Sequence, residues 1–464
     1  MSNLTVGRIP ERLTFGRALS FGVATSPVSA LDTAMLLYLP PHLAGELGLS
    51  LAAVGLAWAV VRVTDVIVDP LLAVAMDATR SRLGRYRLWM LLGSPILMVS
   101  IGVLCFSKPG ITVGFVIGWL LALYLGRSIL HLAHPAWAAT LARSYDERSR
   151  LFGLIAAVGV VSTVAILSIP VIDGARGGNA AHSLALMGWF VILVTPLTVG
   201  WTVWTTGERL SPQVAASGEK VRIGDYLSLL AKPDLVRLYL CIGGLTIGPG
   251  AMTATYIFFM RDHNGLSEAQ ASILLVVFIA AGIVGAPTMA WLATKIGKPR
   301  TLMAGAFGFS IGLCTLLYLP RGSLIAVLPT IFWCGLATSA FDLMVRSMLA
   351  DVADQVRLEQ GRERLSLVFA LNTLVTKLAA GVAVAIIYPI LQMIGYQPAA
   401  GAHNTPSAIR GLGLLFVSGP IVFVSLGAAC LIGWKMTAQR HAAIRAELDL
   451  RDAGLAATIP LGDG

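Results

Sequence analysis

The chain has 464 residues, of which 56% are hydrophobic and only 12% are charged, and its mean hydropathy is +0.79. Soluble globular proteins carry about 25% charged residues, so the composition excludes that class and indicates an integral membrane protein. The formal net charge of +10 does not indicate nucleic-acid binding, because the basic residues concentrate in the loops at one end of the apolar runs.

The apolar runs are long enough for twelve transmembrane helices, because about 20 apolar residues cross a bilayer. We predict these spans, numbered 1 to 12 in chain order, at 18–40, 50–76, 88–107, 111–142, 151–172, 184–205, 234–260, 268–293, 300–320, 324–350, 366–394 and 409–436. Few basic residues fall in every second loop, and this positive-inside bias places both termini in the cytoplasm. We therefore expect a protein of a bacterial-type inner (plasma) membrane.

The longest polar internal stretch separates two groups of six predicted spans. We predict an N-terminal six-helix bundle over 1–205, a cytoplasmic middle loop over 206–233, a C-terminal six-helix bundle over 234–436 and a cytoplasmic tail over 437–464. The tail is charged, and we expect an amphipathic or disordered end. The loops after spans 2 and 8 are both basic, and each contains a glycine, Gly84 or Gly297. Such internal repeats are typical of transporters with a solute site near the membrane midplane.

Span 2 carries three ionisable residues, Arg62, Asp65 and Asp69, inside its apolar run. At about 100° per residue, their spacing places all three on one face of a helix. Charges within a hydrocarbon span are costly and usually mark an ion or substrate path. Two carboxylates one turn apart repel each other when ionised, so at least one would bind a proton, a metal ion or a basic partner. The alternative is a static ion pair that holds span 2 in the bundle.

The stretch from span 2 to span 3 resembles the signature of a transporter family, the glycoside–pentoside–hexuronide:cation symporters. This is the melibiose-permease-like branch of the major facilitator superfamily. The matching residues are Arg62, Asp65, Asp69, Pro70, Asp77, Thr79, Arg80, Gly84 and Arg85. The resemblance implies an all-α membrane fold of twelve helices with 6+6 pseudo-symmetry. It also implies a coupling cation bound at Asp65 and Asp69.

The resemblance extends to span 11, where the family has a lysine that faces the span 2 aspartates. Lys377 matches this lysine, and Asn372, Thr373 and Thr376 would place further polar groups toward the cavity. Lys377 lies too deep in its span to reach the membrane interface easily, so we interpret it, with Arg62, as a charge partner of the two aspartates.

The coupling ion is predicted from the oxygen atoms that span 2 and span 4 offer. Sodium-using relatives of this family often have Asn before the second aspartate, where this chain has Val68, and a hydroxyl on span 4, where it has Leu130. Sodium needs several oxygen ligands, whereas protonation does not. We therefore favour H⁺ over Na⁺. Apart from Na⁺ at Asp65 and Asp69 as the alternative, we expect no metal and no cofactor.

Span 4 lacks part of the residue pattern with which members of this family bind sugars. Trp137 matches a family tryptophan, but Ala133 stands where the family has an aspartate. A second family aspartate on span 1 is also missing, and Asp32 is a candidate substitute. Both departures weaken the prediction of a neutral sugar.

A basic stripe on span 4 is the alternative solute site. Arg127, His131 and His134 fall within about 60° of one another around a helix. An arginine can grip a carboxylate, sulfonate or phosphate with two hydrogen bonds, so the stripe indicates an anionic solute. The other interpretation pairs Arg127 with Asp32 and bonds the histidines to the backbone, and the sequence leaves both open. The full set of candidate solute contacts is Asp32, Arg127, His131, His134, Trp137, Asn372, Thr373 and Thr376.

Charged residues at the cytoplasmic rim form a predicted gate that holds the halves in one state. They are Asp77, Arg80, Arg82 and Arg85 after span 2, with Asp351 and Asp354 after span 10. We assign these residues to the gate and not to ligand binding.

The sequence contains no nucleotide-binding, zinc-protease or hydrolase motif, and we predict that the protein is not an enzyme. We predict a monomeric secondary active transporter that carries a glycoside, uronide or related small solute together with a cation, by alternating access. One alternative is transport of an amphipathic or acidic solute such as a lysolipid. The other is a non-transporting sensor or assembly partner with the same fold.

Overall fold

The computed structural model describes residues 14–141, 145–208, 229, 232–360, 365–399 and 401–458. Every regular element in this part of the chain is a helix. In chain order, the α-helices are α1 Phe15–Gly22, α2 Ser26–Leu37, α3 Leu39–Gly45, α4 Leu51–Ala78, α5 Arg85–Cys105, α6 Val113–Leu141, α7 Tyr145–Ala175, α8 Ala180–Thr205, α9 Pro233–Phe258, α10 Glu268–Ile296, α11 Lys298–Leu316, α12 Leu324–Gln360, α13 Leu365–Met393, α14 Pro406–Ala429 and α15 Ala438–Thr458. A 3-10 turn, Val23–Thr25, follows α1, and a π-helical turn, Phe259–His263, follows α9.

The predicted spans coincide with these helices. Ten helical segments in the described ranges are long and apolar enough to cross a membrane. The two remaining predictions also fall on helices, span 1 on α1 and α2, and span 9 on the 19-residue α11. All twelve predicted spans therefore overlap helical segments, although span 12 was predicted to 436 and its helix ends at Ala429, and the all-α membrane fold is confirmed.

The first span is broken into pieces, which the sequence analysis did not predict. Proline stands at the start of both later pieces, Pro27 in α2 and Pro40 in α3. Proline has no backbone N–H and fits the first turn of a helix, where that donor needs no partner within the helix. These prolines therefore favour new helix starts within one apolar run.

The helix α4 carries the predicted cation site on one continuous element. It begins after Ser50, whose hydroxyl oxygen accepts a hydrogen bond from the N–H of Ala53 at 3.2 Å. Such a cap satisfies one of the free backbone donors at the helix start. Pro70 lies inside the helix but does not end it, since α4 continues to Ala78. Arg62, Asp65 and Asp69 thus keep the helical spacing on which the prediction rests.

In the two basic loops, the glycine directly before the next helix has a similar backbone conformation. Gly84 and Gly297 immediately precede α5 and α11, with φ of 106° and 88°. Glycine is the residue that adopts positive φ without a steric penalty, which explains both glycines. At Gly84 a side chain would also collide with Glu208, whose carboxylate accepts the N–H of Tyr86 at 2.9 Å. The likeness of the two loops agrees with the predicted internal repeat.

Contacts group the residues into two compact units. The first comprises 1–219, 253–276 and 381–415, and the second comprises 220–252, 277–380 and 416–464. The first unit thus includes the turn between α9 and α10, the turn between α13 and α14, and the helix ends beside them. The predicted bundles 1–205 and 234–436 follow a different boundary and remain a prediction.

The tail is helical where the structure describes it. The helix α15 packs against α12 in the second unit through a small apolar cluster of Met436, Ile444 and Leu448, which contacts Leu358. Of the two predicted alternatives, the amphipathic helix is therefore the correct one for 438–458.

Candidate functional site

The predicted cation site contains a buried carboxylate, Asp65, with polar neighbours from α4 and α6. Asp65 is only 3% exposed. The Ser128 hydroxyl on α6 donates a hydrogen bond to its Oδ1 at 3.2 Å, and Arg62 Nη1 lies 3.8 Å from its Oδ2. A buried charge must be compensated in this way, because removal from water is costly. Asp69, one turn further along α4, is half-buried.

The contact of Ser128 with Asp65 was not predicted from the sequence, because the span 4 position that carries a hydroxyl in the family is Leu130 in this chain. Leu130 is buried and supplies no oxygen, as predicted. Ser128 lies two residues earlier and faces Asp65 instead. The signal that could have found it is its position directly beside Arg127, the one charged residue of the span.

The aromatic ring of Tyr124 lies between the two arginines of this region. The guanidinium carbon of Arg62 lies 4.8 Å from the ring centroid, and that of Arg127 lies 5.8 Å from it. Such cation–π contacts are worth about 0.5–1 kcal/mol when exposed and more when desolvated. Tyr124 was not among the predicted site residues, because periodicity alone does not reveal which aromatic residue meets a charge.

The pairing of Arg127 with Asp32 is the contact that the sequence left open. The guanidinium of Arg127 binds both carboxylate oxygens, through Nε to Oδ1 and through Nη2 to Oδ2 at 3.0 Å. The Asp32 side chain is 42% exposed, whereas that of Arg127 is largely buried. Within the described residues, Arg127 Nη1 is buried and has no hydrogen-bond partner. The Asp32 carboxylate is therefore partly exposed to solvent, while the buried Arg127 Nη1 donor makes no hydrogen bond to a described residue.

Two of the other predicted solute contacts on α6 pack against Phe21, and the third is exposed. His134 is buried, its Nε2 donates to the Phe21 carbonyl oxygen at 2.9 Å, and its ring stacks on that of Phe21. Trp137 is fully buried with its edge against the same ring. His131 is exposed. This geometry favours a packing role for His134 and Trp137.

The predicted polar residues of span 11 lie on α13 in the second unit. Asn372, Thr376 and Lys377 are half-buried, and the hydroxyl of the exposed Thr373 donates to the Phe369 carbonyl at 3.1 Å. We still predict that Lys377 faces Asp65 or Asp69.

The acidic residues of the predicted gate are bound within the second unit. Asp351 accepts a hydrogen bond from Lys298 Nζ at 2.5 Å, and His441 Nε2 lies 3.0 Å from Asp354 Oδ2. Arg445 Nη1 approaches Asp354 at 3.4 Å. Two of these basic partners belong to the tail helix α15, which sequence reasoning did not connect with the gate.

The basic residues of the predicted gate surround the start of α5. Arg80 and Arg82 are exposed, and the Arg85 guanidinium lies 5.8 Å from the Tyr86 ring centroid. The side chain of Asp77 lies outside the described residues. The gate role of these residues remains a prediction.

Comparison with known proteins identifies the family. Residues 20–438 match the profile of a family described as MFS/sugar transport protein. The chain belongs to this family, within the major facilitator superfamily. It is therefore an integral membrane transporter and not an enzyme, and sugar or glycoside symport is the type of transport that its relatives indicate.

Several relatives in this family have named solutes. The isoprimeverose transporter of Lactiplantibacillus pentosus is 24% identical over 84% of this chain and 82% of its own length. The glucuronide carrier protein homolog of Escherichia coli K12 is 21% identical over 89% and 91%. The sphingosine-1-phosphate transporter MFSD2B of Xenopus tropicalis is 23% identical over 83% and 81%.

Solved structures agree on the fold. The nucleoside transporter NupG covers 91% of this chain and 100% of its own, with a TM-score of 0.67 at 12% identity. A bacterial homolog of the human lysosomal transporter Spinster, in an inward-facing and unoccupied conformation, has a TM-score of 0.67 at 15% identity and covers 94% and 97%. At these identities the likeness concerns the fold alone.

Proposed function

We propose that this family member is a proton-coupled symporter of a hydroxyl-rich solute, a glycoside or uronide, that works by alternating access. The observation that carries the proposal is the contact pattern of two adjacent residues on α6. Arg127 binds Asp32 on α2, and Ser128 binds Asp65 on α4. One helix thereby contacts both the candidate solute residue and the candidate cation residue.

The proton would act on the buried Asp65 carboxylate. When ionised, this group needs the Ser128 hydroxyl and the Arg62 guanidinium as partners, because it is only 3% exposed. Protonation removes the charge of Asp65 and weakens its electrostatic attraction to Arg62, whose guanidinium also lies over the Tyr124 ring. Since Tyr124 and Arg127 are in contact as well, a change at Asp65 can reach the Asp32–Arg127 pair through touching side chains.

The choice of H⁺ rests on the oxygen atoms near Asp65. Ser128 supplies one hydroxyl oxygen, while Val68 and Leu130 supply none. A sodium ion prefers several oxygen ligands around it, and a proton needs only the carboxylate itself. The proposed cation residues are Asp65 and Asp69, with Arg62 and Lys377 as their charge partners.

The solute class follows from the Asp32–Arg127 pair. Asp32 offers a partly exposed acceptor, and Arg127 Nη1 offers a donor that no described residue uses. A sugar hydroxyl both donates and accepts, so it can bond to the exposed Asp32 carboxylate in this arrangement and to the buried Arg127 Nη1 once that donor is uncovered. An isoprimeverose transporter and a glucuronide carrier homolog among the relatives support this class.

The second candidate is an acidic, amphipathic solute such as a lysolipid. The free Arg127 Nη1 donor favours it, because a phosphate or carboxylate oxygen is the stronger acceptor for a guanidinium. Relatives that include a sphingosine-1-phosphate transporter and a sodium-dependent lysophosphatidylcholine symporter support it as well. Such a solute would have to compete with Asp32 for the remaining arginine donors.

The test is uptake into proteoliposomes with the two ion gradients imposed separately. A panel of radiolabelled glycosides, uronides and lysolipids is offered first under a pH gradient without sodium, and then under a sodium gradient at equal pH on both sides. We expect accumulation of a glycoside or uronide under the pH gradient alone. Accumulation that requires sodium overturns the proton assignment, and accumulation of lysolipids alone supports the second candidate. A folded protein that moves none of the panel supports the non-transporting alternative.

The matched control is an aspartate that has its own local partner. Asp342 on α12 is bound by Arg346 one turn away, at 2.7 Å. Asp65→Asn should lose accumulation under the pH gradient, whereas Asp342→Asn should accumulate solute like the unaltered protein. If it fails as Asp65→Asn does, loss of any aspartate in a span stops uptake, and the specific assignment to Asp65 is contradicted.

A further inference from the structure

A small cavity lies in the first unit beside the short helix α3. Its volume is about 30 Å³. The polar side chains that line it are Tyr38, His42, Glu46, Arg261 and Glu268. By the predicted topology, this cavity lies at the outer end of the spans, at the opposite end from the basic loops.

His42 is the unusual member of this group. It is 8% exposed, and neither of its ring nitrogens has a hydrogen-bond partner among the described residues. A neutral imidazole carries one donor and one acceptor, and buried polar groups are normally satisfied. A polar cavity needs roughly 10–15 Å³ of such volume to hold one water molecule. Water in this cavity would supply the partners that the protein does not.

The cavity lies among contacts that close the predicted outer end within the first unit. The Tyr38 hydroxyl, at the end of the first span, lies 2.5 Å from the Ser272 hydroxyl on α10. Arg261 Nη2, after α9, donates to the Pro398 carbonyl oxygen at 2.9 Å. A side-chain carbon on Gly45 would lie 2.9 Å from the same oxygen, so α3 and the Pro398 segment are in close contact. These contacts join residues that line the cavity, and their separation would open it to water.

We propose that the His42 cavity is a water-filled protonation site, separate from Asp65 and Asp69, at which external acid opens the predicted outer end of the transporter. A protonated His42 would be a buried cation, and the Arg261 guanidinium that lines the same cavity is already paired with Asp262, its Nε 2.7 Å from Oδ1. Glu46 on the same segment is exposed, and Glu268 on α10 is half-buried. Tyr38, between α2 and α3, is neutral, and the remaining lining residues from α8, α9 and the Pro398 segment carry no charge. The closed form therefore disfavours the charged imidazole, whereas the opened form hydrates it.

The direction of the pH effect follows from this difference. Burial lowers the pKa of His42 in the closed form, and the Glu46 carboxylate offsets part of that effect. An exposed histidine has a pKa of about 6.5. The opened form thus binds the proton more tightly, so opening is favoured as the external pH falls below about 6.5. Above that pH, His42 is neutral in both forms and exerts no pH-dependent effect.

The experiment measures solvent entry at Leu184, a 2% exposed residue that lines the cavity from α8. Leu184→Cys is introduced after replacement of the five native cysteines, and an impermeant maleimide is added from outside proteoliposomes. The labelling rate is compared between protein with His42 and the His42→Gln variant at each external pH from about 8 to about 5.5, a range that brackets the ordinary histidine pKa. The ratio of the two rates cancels the intrinsic pH dependence of thiol reactivity.

We expect the labelling rate with His42, divided by the rate with His42→Gln, to rise severalfold from the alkaline to the acid end of this pH range. The control is His403→Gln, which changes an exposed histidine in the loop between α13 and α14 and should leave the pH response intact. His42→Asn replaces His42→Gln if the latter fails to elute as folded protein. A ratio that stays constant across this range overturns the proposal. So does a pH response that persists in the His42 variant and disappears in Glu268→Gln, since the titrating group would then be Glu268. Neither result depends on proton coupling at Asp65.

Discussion

At the scale of single residues, the buried Asp65 carboxylate contacts Arg62 on its own helix and Ser128 on a neighbouring helix. The helical spacing of Arg62 and Asp65 predicted a shared face, and the two side chains do lie 3.8 Å apart. Ser128 and Tyr124 could not be found in this way, because spacing within one helix does not reveal which residue of another helix faces a charge. The same reasoning left two interpretations of Arg127 open until its contact with Asp32 was known.

The first prediction concerns Ser128. Its hydroxyl donates to the ionised Asp65, so Ser128→Ala should make the protonated form relatively more favourable and shift the pH profile of uptake toward higher pH. Hydrogen bonds to charged groups contribute about 1.5–3 kcal/mol, which sets the upper limit of this shift. The profile is measured as initial uptake rate against pH. Ser162→Ala removes a buried hydroxyl that bonds only to the backbone of its own helix, and its profile should not move. An unchanged profile in Ser128→Ala contradicts the role of this contact.

The second prediction concerns the Asp32–Arg127 pair. Because the two side chains bind each other directly, Asp32→Asn and Arg127→Gln should not have additive effects on solute affinity. Residues in contact typically show interaction energies of about 0.5–3 kcal/mol in a double-mutant cycle. Binding of one glycoside is measured for the protein, both single variants and the double variant. Additive losses within error would mean that the two residues act on the solute independently.

At the scale of elements, hydrophobic run length predicted helices at all twelve positions, because a bilayer imposes the same length on each crossing helix, and ten of these helices in the described residues are long and apolar enough to cross a membrane. The exceptions have local causes. The first span is divided at Val23–Thr25 and again before α3, where prolines begin new helices. The tail was left between helix and disorder, since its apolar residues are few. The packing of Leu448 against α12 and the contacts of His441 and Arg445 with Asp354 distinguish the two.

The third prediction tests this packing of the tail. Leu448 is 1% exposed in the small cluster under α15, whereas Leu450, two residues later, is 76% exposed. Large-to-small changes at buried leucines typically cost about 2–5 kcal/mol, so Leu448→Ala should release α15 from α12. Limited proteolysis of the tail then becomes faster, and Leu450→Ala serves as the matched control with little change. Equal protection of both variants would show that the polar contacts of His441 and Arg445 hold α15 without the apolar cluster.

At the scale of the whole molecule, the family assignment rests on a match over 20–438, and the resemblance seen first in one stretch of span 2 is confirmed by it. Fold class was predictable because membrane spanning restricts the chain to a few architectures. The solute and the ion were not, because they depend on a few oxygen and nitrogen atoms whose positions are set by packing between helices. The cavity at His42 belongs to the same category, since nothing in the spacing around His42 predicts a buried and unsatisfied imidazole.

The central claim is that Asp65, together with Asp69, couples solute movement to a proton. The most direct measurement compares two assays of Asp65→Asn in proteoliposomes that are matched for folded protein. One assay follows accumulation driven by a pH gradient, and the other follows exchange of labelled for unlabelled solute without any gradient. A neutral residue that resembles the protonated form should abolish accumulation and retain exchange, because only the net proton step is blocked. Accumulation against a gradient at the unaltered level, in this variant and in Asp69→Asn, would contradict the account.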